Sequence, residues 1–559
     1  MKTILSLTGA LLLSVSTLGQ GFLKTSGQRI VNEKGENVLL RGMGLGGWML
    51  QEGYMLKVYR QGQQHKIRER LEKLIGAEKT AEFYDAWLAN HATRADVDAL
   101  KSWGFNSVRL PMHYNLYDTE KGFALTDSLL AWCKANSMYL ILDLHAAPGG
   151  QGNDLNISDR DGSQPSLWES EAHQRATVSF WRKVAARYKD EPWIAAYDII
   201  NEPNFGFEDP VNDKNGIKEK KNAPLRKLMM EITHAIREVD PHHIVIIEGN
   251  GWGNNYNGVL PPWDNNMVLS FHKYWNYNDE NSIAHILRYR EQYNIPVWLG
   301  ETGENSNVWF TNAIRLLESH NIGWAWWPLK KIGINNPLEV PSNPEYQQVT
   351  AYWNDSAKAS RPSAETAYRG VMALARATNF ASNAVHRDVI DAMIRQPADP
   401  SARPFKPNNI RPGAVLQAAD YDLGSNGFAY YDTDTANYRV SDPKHTGGNR
   451  GGAYRNDGVD IRQEGTGYYV TDIETGEWLQ YTLNVAAKGK YTIRLQVAAD
   501  SLPGKLAVTV NGVVKEVTVP AGPWQWVAVK NVALKKGSQA LRVKALAGGY
   551  RLREIRFEE

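Results

Sequence analysis

Residues 194–202 read Ile194-Ala195-Ala196-Tyr197-Asp198-Ile199-Ile200-Asn201-Glu202, a run of strand length whose apolar body ends on an amide and a carboxylate. Residues 139–145, Tyr139-Leu140-Ile141-Leu142-Asp143-Leu144-His145, are nearly as continuous and end on an imidazole. Neither run alternates apolar with polar side chains, so neither suits a sheet with one face in water. Both suit parallel strands covered on both faces. Working outward, six more such runs occupy 37–41, 105–111, 243–248, 267–274, 296–301 and 322–327. Amphipathic stretches of helical length separate them, at 94–103, 125–136, 168–188 and 224–239. Eight strands alternating with helices is the period of an α/β fold of the (β/α)8 TIM-barrel type. An open doubly wound sheet shares the alternation but wants a phosphate-cradling glycine loop that opens a helix. The run Gly42-Met43-Gly44-Leu45-Gly46-Gly47 only partly imitates one, and no convincing helix starts in 48–55.

In a barrel of this kind, chemistry gathers at the C-terminal ends of the strands. Those ends carry Arg109 and His113, His145, Asn201 and Glu202, His272 and Tyr274, Glu301, and Trp327. Each alone has a plainer reading, since a barrel-end arginine often only pairs with a carboxylate and a lone histidine is often satisfied structure. Together they describe a site. Glu202 and Glu301 are the acid/base and nucleophile that glycoside hydrolysis requires, one protonating the leaving oxygen and the other attacking the anomeric carbon. Arg109 and Tyr274 are placed to hold a carboxylate ionised. Asn201 can donate to a sugar hydroxyl, and Trp327 offers a stacking face beneath the ring. A metal is the rival use of histidine and glutamate, but no paired-histidine spacing occurs, and His145 and His272 each stand alone.

Composition bounds the partners. The formal net charge is +2, which gives no electrostatic footprint for nucleic acid or an anionic membrane. Nineteen tryptophans and 26 tyrosines exceed ordinary core needs and suit the apolar faces of sugars. Cys133 is the only cysteine, so stability rests on core size and not on disulfides. Lys2, the apolar run 4–13 and small residues around Thr17-Leu18-Gly19 read as a signal peptide over 1–19, which predicts a secreted, extracellular, periplasmic or cell-surface protein. Nothing else approaches the roughly 20 apolar residues of a membrane span.

The catalytic unit is expected over 20–396, with a helical tail from 364. Five prolines between Gln396 and Pro412 then mark a stiff linker over 397–412. Beyond it the pattern changes to alternating runs at 477–485, 490–497, 505–510, 524–532 and 539–546, punctuated by Gly, Asn and Pro. That is the signature of an all-β sandwich (jelly-roll) over 413–559.

Residues 25–395 resemble glycoside hydrolase family 5. The resemblance rests on Asn201-Glu202-Pro203, Gly300-Glu301, Leu144-His145 and Phe271-His272-Lys273-Tyr274, in that order along the barrel. It implies a retaining mechanism without a catalytic cofactor, acting on a polysaccharide or oligosaccharide. Residues 46–54 (Gly-Gly-Trp-Met-Leu-Gln-Glu-Gly-Tyr) and 143–151 are most similar to the exo-β-1,3-glucanase group, where the glutamate matching Glu52 binds the terminal sugar. Gly53 and Thr302-Gly303 depart from that group's pattern. A β-glucanase acting on β-1,3 or β-1,4 bonds is therefore expected, as a monomer. Mannan hydrolysis, transglycosylation and a non-catalytic glycan-binding role stay open. Residues 413–559 resemble carbohydrate-binding module family 6, through Leu416-Gln417-Ala418-Ala419-Asp420-Tyr421, Tyr454-Arg455, Gly476-Glu477-Trp478 and Trp524-Gln525-Trp526. That likeness implies Tyr454 and Trp524 as sugar-stacking faces and Gln417 and Asp420 as ligands of a structural calcium. Arg551 stands where such modules often carry a ligand-binding asparagine, so this unit either binds sugar or docks on the barrel.

Overall fold

A computed structural model describes residues 21–436 and 448–559; the expected signal peptide lies outside the described residues. Eight parallel strands close into a barrel, each pairing with the next and the last with the first. They are β1 (Arg41–Gly44), β2 (Ser107–His113), β3 (Tyr139–Ala146), β4 (Ile194–Asp198), β5 (Ile244–Glu248), β6 (Met267–Lys273), β7 (Val297–Gly303) and β8 (Gly323–Trp327). Their side chains are almost wholly buried, some inside the barrel and some under the outer helices, which is why the runs are continuous. A hairpin of Lys24–Ser26 and Arg29–Val31 precedes the barrel, and its Leu23 and Ile30 pack with Leu40, Ile244 and Trp298.

Seven strands fall within a few residues of the expected runs, but β1 lies further along, on the glycines. A Cβ at Gly42 would stand 2.8 Å from the Ser107 hydroxyl, and one at Gly44 would stand 2.6 Å from the Trp327 ring. Gly42 and Gly44 allow close approach to a neighbouring strand, while Gly46 and Gly47 form the turn that follows, Gly47 with φ 86°. The helix Arg94–Trp103 sits where its periodicity puts it, opened by a Thr93–Asp96 capping box and closed by Gly104 in the left-handed region. The expected tail resolves into two helices, Ala364–Ala377 and Arg387–Ile394. Cys133 is buried within the helix Glu120–Ala135, and burial pushes its thiol up to about 12.

The C-terminal unit is a sandwich of two six-stranded sheets. One is led by Trp478–Val485 and Gly537–Ala547, the other by Gly489–Ala499, Gly522–Leu534 and Tyr550–Glu558. Between them lies a separate apolar core that includes Leu483, Ile493, Leu541 and Ile555. The proline-rich segment is not a free spacer. Arg315 donates to the Gln396 and Pro397 carbonyls, Arg395 to those of Asp399 and Ser401, and Asn409–Ile410 adds a strand to the sandwich. Its prolines stiffen a stretch that hydrogen bonds pin to both units. Among the described residues no helix is long and apolar enough to cross a membrane.

Candidate active site

Arg109, on β2, is fully buried and organises the barrel mouth. Its Nη1 donates to Glu301 Oε2 at 2.9 Å, while Nη2 donates to Asp198 at 2.8 Å and to Asn201 Oδ1 at 2.8 Å. Asp143 and Glu248 each approach Nη2 to 3.3 Å. Burial works against this guanidinium's charge, but Asp143, Asp198, Glu301 and Glu248 outweigh it and hold the group above its usual range. The second oxygen of Glu301 accepts from the Tyr274 hydroxyl at 2.8 Å. Burial first, then the charge of Glu202, raise the Glu301 carboxyl, against the pull of His272, Arg109 and His145.

Glu202 stands beyond the end of β4, with a backbone φ of 42° that non-glycine residues seldom adopt. Its own N–H donates to Glu248 Oε2 at 2.7 Å, which fixes the strained position. Oε1 meets His272 Nδ1 at 2.6 Å. The other nitrogen of His272 lies 3.2 Å from Glu248 Oε1, an ion-pair contact off the hydrogen-bonding line. Burial opposes a charge on this imidazole, yet Glu248 and Glu202 raise it well above its ordinary value, so it stands as imidazolium. Carboxylate oxygens of Glu202 and Glu301 and a nitrogen of His272 lie within 4.8 Å of one another. This trio has the composition of a metal site, but its atoms are already engaged. Both oxygens of Glu301 accept from protein donors, and His272 directs a proton at Glu202, so a cation would compete with three donors.

His145 stacks on Trp327 with centroids 5.0 Å apart and 10° between the planes; Asp143 holds its Nδ1 at 2.8 Å. Trp327 in turn donates to the Tyr54 hydroxyl at 3.1 Å. Glu52, His145, Glu202, His272, Tyr274, Glu301 and Trp327 all line one cleft of about 1030 Å³, with Arg109 and Asn201 buried beneath. His113 stands apart, bonded to Asp159 at 3.0 Å. Sequence reasoning overlooked Glu248, Asp198 and Asp143, the buried acids under the cleft, and Tyr54, Asp154, Trp252 and Glu304 on its walls. Glu248 was within reach, being the final residue of an apolar run. Trp252 was not, since it sits on an irregular turn with φ 58°.

In the C-terminal unit the expected residues are largely spoken for. The Tyr454 ring stacks on Tyr468 at 4.4 Å, and its hydroxyl donates to Asp420. The Trp524 ring carries the Arg553 guanidinium at 4.0 Å and meets Tyr469 edge-on. Asp420 faces the Lys406 ammonium at 3.1 Å, and Gln417 is exposed on a strand. Calcium takes six to eight oxygen ligands. One carboxylate already paired with an ammonium, beside one exposed amide, does not fit that ion.

Comparison with known proteins agrees with this geometry. Residues 66–332 match the family model described as cellulase (glycosyl hydrolase family 5), and residues 453–559 match carbohydrate binding module (family 6). The barrel is a family 5 glycosyl hydrolase domain. The family 6 module accounts for most of the sandwich that follows it. Among curated relatives, the chain is 28% identical over 370 residues to a beta-xylosidase of Phanerodontia chrysosporium, covering 58% of this chain and 74% of that one. It is 29% identical over 192 residues to endoglucanase C of Acetivibrio thermocellus, covering 33% of this chain and 50% of the relative. A probable glucan 1,3-beta-glucosidase A of Aspergillus clavatus is 24% identical over 239 residues, covering 40% and 55%. The chain thus spans about half the length of the last two. A solved endogalactoceramidase covers 95% of this chain and 99% of its own at 16% identity and TM-score 0.43. A beta-glucanase of Saccharophagus degradans covers 64% and 94% at 16% identity and TM-score 0.40.

Proposed function

We propose that this protein is a retaining hydrolase of β-linked glucans, with Glu301 as nucleophile and Glu202 as acid/base. One observation carries the reading: the two carboxylates approach within 4.8 Å. Direct attack by a carboxylate needs a separation of about 5 to 5.5 Å, whereas an interposed water needs roughly 6.5 to 9.5 Å. Glu301, ionised and held by Arg109 and Tyr274, attacks the anomeric carbon and forms a glycosyl ester. Glu202 gives its proton to the departing oxygen. A water then enters on the same face, Glu202 takes its proton, and the ester opens with the sugar's configuration restored. His272 and Glu248 fix the position of Glu202 through both steps. The His145–Trp327 stack supplies a flat platform for the ring at the cleavage point.

The glucan preference rests on the endoglucanase and glucan 1,3-beta-glucosidase relatives, and on Glu52 in the cleft wall. A second reading, β-xyloside hydrolysis, has the support of the beta-xylosidase relative. Export fits the family 6 module and the N-terminal signal read from residues 1–19.

Paired aryl β-glucoside and β-xyloside substrates separate the two readings, and proton NMR of the first-formed sugar decides the mechanism. The β anomer must appear first, and Glu301→Ala should lower kcat by about 10⁴-fold or more. An α anomer first, or full turnover by Glu301→Ala, would refute the assignment.

A further inference from the structure

The short link from the nucleophile strand to its following helix is gripped by the C-terminal sandwich. Asn456, in the loop after Tyr454, is 8% exposed, and its side-chain Nδ2 donates to the Asn305 carbonyl at 2.8 Å and to Asn307 Oδ1 at 3.1 Å. Its main chain adds two bonds. Its N–H donates to Asp388 Oδ2 at 2.7 Å, and its carbonyl accepts from the Asn307 N–H at 2.8 Å. The Asn307 amide in turn spans Asp388 of the barrel unit and Asp457 of the sandwich, at 2.8 and 2.9 Å. The Ser306 hydroxyl donates to the Thr435 carbonyl. Asn305, Ser306, Asn307, Asp388 and Asp457 are all at most 6% exposed.

These bonds fall four to six residues past Glu301. Between them, Thr302 Oγ1 donates to the Lys273 carbonyl at 2.5 Å, and the Glu304 carbonyl accepts from Trp275 at 3.1 Å while its carboxylate meets Lys331 at 3.0 Å. A Cβ at Gly303 would strike the Trp327 carbonyl at 2.3 Å. The link is therefore tied on the barrel side at residues 302 to 304 and on the sandwich side at 305 to 307. A module that serves only to bring an enzyme to a polymer has no need of a buried polar interface beside a barrel strand, because any polar group left unpaired there is costly.

We propose that Asn456 is a positioning residue of the barrel's active site: the sandwich braces the 301–307 segment and so sets the placement of Glu301 and Glu304. The proposal rests on the reading of Glu301 as nucleophile. Its structural half does not. Asn456→Ala removes only the side-chain bonds and leaves both main-chain bonds in place. Hydrogen exchange of full-length protein should show faster exchange across residues 302–307 in the variant than in wild type. On a soluble aryl β-glycoside, which has one sugar and no polymer for a module to hold, kcat should fall roughly ten- to a hundredfold with little change in KM. Thr482→Ala, which breaks the Thr482–Asp422 bond inside the sandwich, serves as the control and should leave kcat unchanged at a comparable loss of stability. Should Asn456→Ala not fold, Asn456→Ser carries the same comparison with a smaller void. Unchanged exchange at 302–307 overturns the brace whatever the activity. Faster exchange with unchanged kcat overturns its role in placing Glu301. A wild-type protein that cleaves no aryl β-glycoside would instead overturn the functional reading, and the exchange data would still decide the brace.

Discussion

Tyr274→Phe removes one hydroxyl and nothing else from the surroundings of Glu301, the proposed nucleophile. In the native site Glu301 Oε1 accepts from that hydroxyl at 2.8 Å, and Oε2 keeps Arg109 at 2.9 Å in either protein. A donor to a carboxylate favours its ionised form, so losing one raises the pKa. Hydrogen bonds to charged groups contribute about 1.5 to 3 kcal/mol, and one pKa unit corresponds to about 1.4 kcal/mol, which gives a rise of about one to two units. The rise adds to what burial and Glu202 already impose on Glu301. Burial and the Glu301 charge push Tyr274's own phenol well above its usual range, so it remains a donor throughout the assay. Attack requires ionised Glu301. The acid limb of kcat/KM, which reports groups of the free enzyme, must therefore move to higher pH by one to two units. The assay is initial rates on an aryl β-glycoside from about pH 3 to 8. An acid limb that stays in place, or moves to lower pH, would refute the argument that Tyr274 holds Glu301 ionised.

Two further perturbations test the layer beneath. Glu248→Gln withdraws one of the two carboxylate charges that face His272, leaving Glu202, and should destabilise the fold by about 3 kcal/mol, the low end for breaking a buried pair. His272 has a raised folded value, so its contribution is full below the unfolded 6.5 and is lost as pH rises through the folded value. Wild-type stability should accordingly decline on the alkaline side in urea titrations, and the Glu248→Gln curve should be flatter there; parallel curves would contradict the pairing. Gly44→Ala places a methyl 2.6 Å from the Trp327 ring, which should cost about 1 to 3 kcal/mol of stability and raise KM severalfold by displacing the platform. An unchanged KM would separate Trp327 from sugar binding.

The barrel was legible because its strands are covered on both faces and read as unbroken apolar runs. β1 was misplaced for the opposite reason. Its residues Arg41-Gly42-Met43-Gly44 make a strand through close approach to Ser107 and Trp327, and a glycine that yields to a neighbour's bulk leaves no apolar signal. The cleft residues were legible because polar side chains follow apolar strands there. What periodicity cannot show is which carboxylates share a buried layer, since that depends on register between strands; Asp143 and Asp198 pair across β3 and β4, and Glu248 meets Ser270 across β5 and β6. The sandwich was legible as a fold. The engagement of Tyr454, Trp524 and Asp420 was not, because Tyr468, Arg553 and Lys406 reach them through the tertiary fold.

Charge balance shows why that hidden layer has its particular membership. Asp143, Asp198, Glu248 and Glu301 all surround Arg109, and a buried carboxylate without compensation is expensive. Arg109 and the His272 imidazolium supply two positive charges, too few for every acid present. Burial, and after it the charge of Glu248, push Asp198 well above the usual carboxylate range, against the pull of Arg109. Its Oδ2 accepts from both Nε and Nη2 of Arg109, while Oδ1 has no donor directed at it. Glu248 is instead held below its usual value by His272 and Arg109, against its burial, and stays ionised to anchor Glu202. Nη2 of Arg109 serves the acids below the cleft, and Nη1 is left for Glu301. The opposite directions of Asp198 and Glu248 thus follow from their partners: Glu248 faces both cations, whereas Asp198 faces Arg109 and the Glu248 charge.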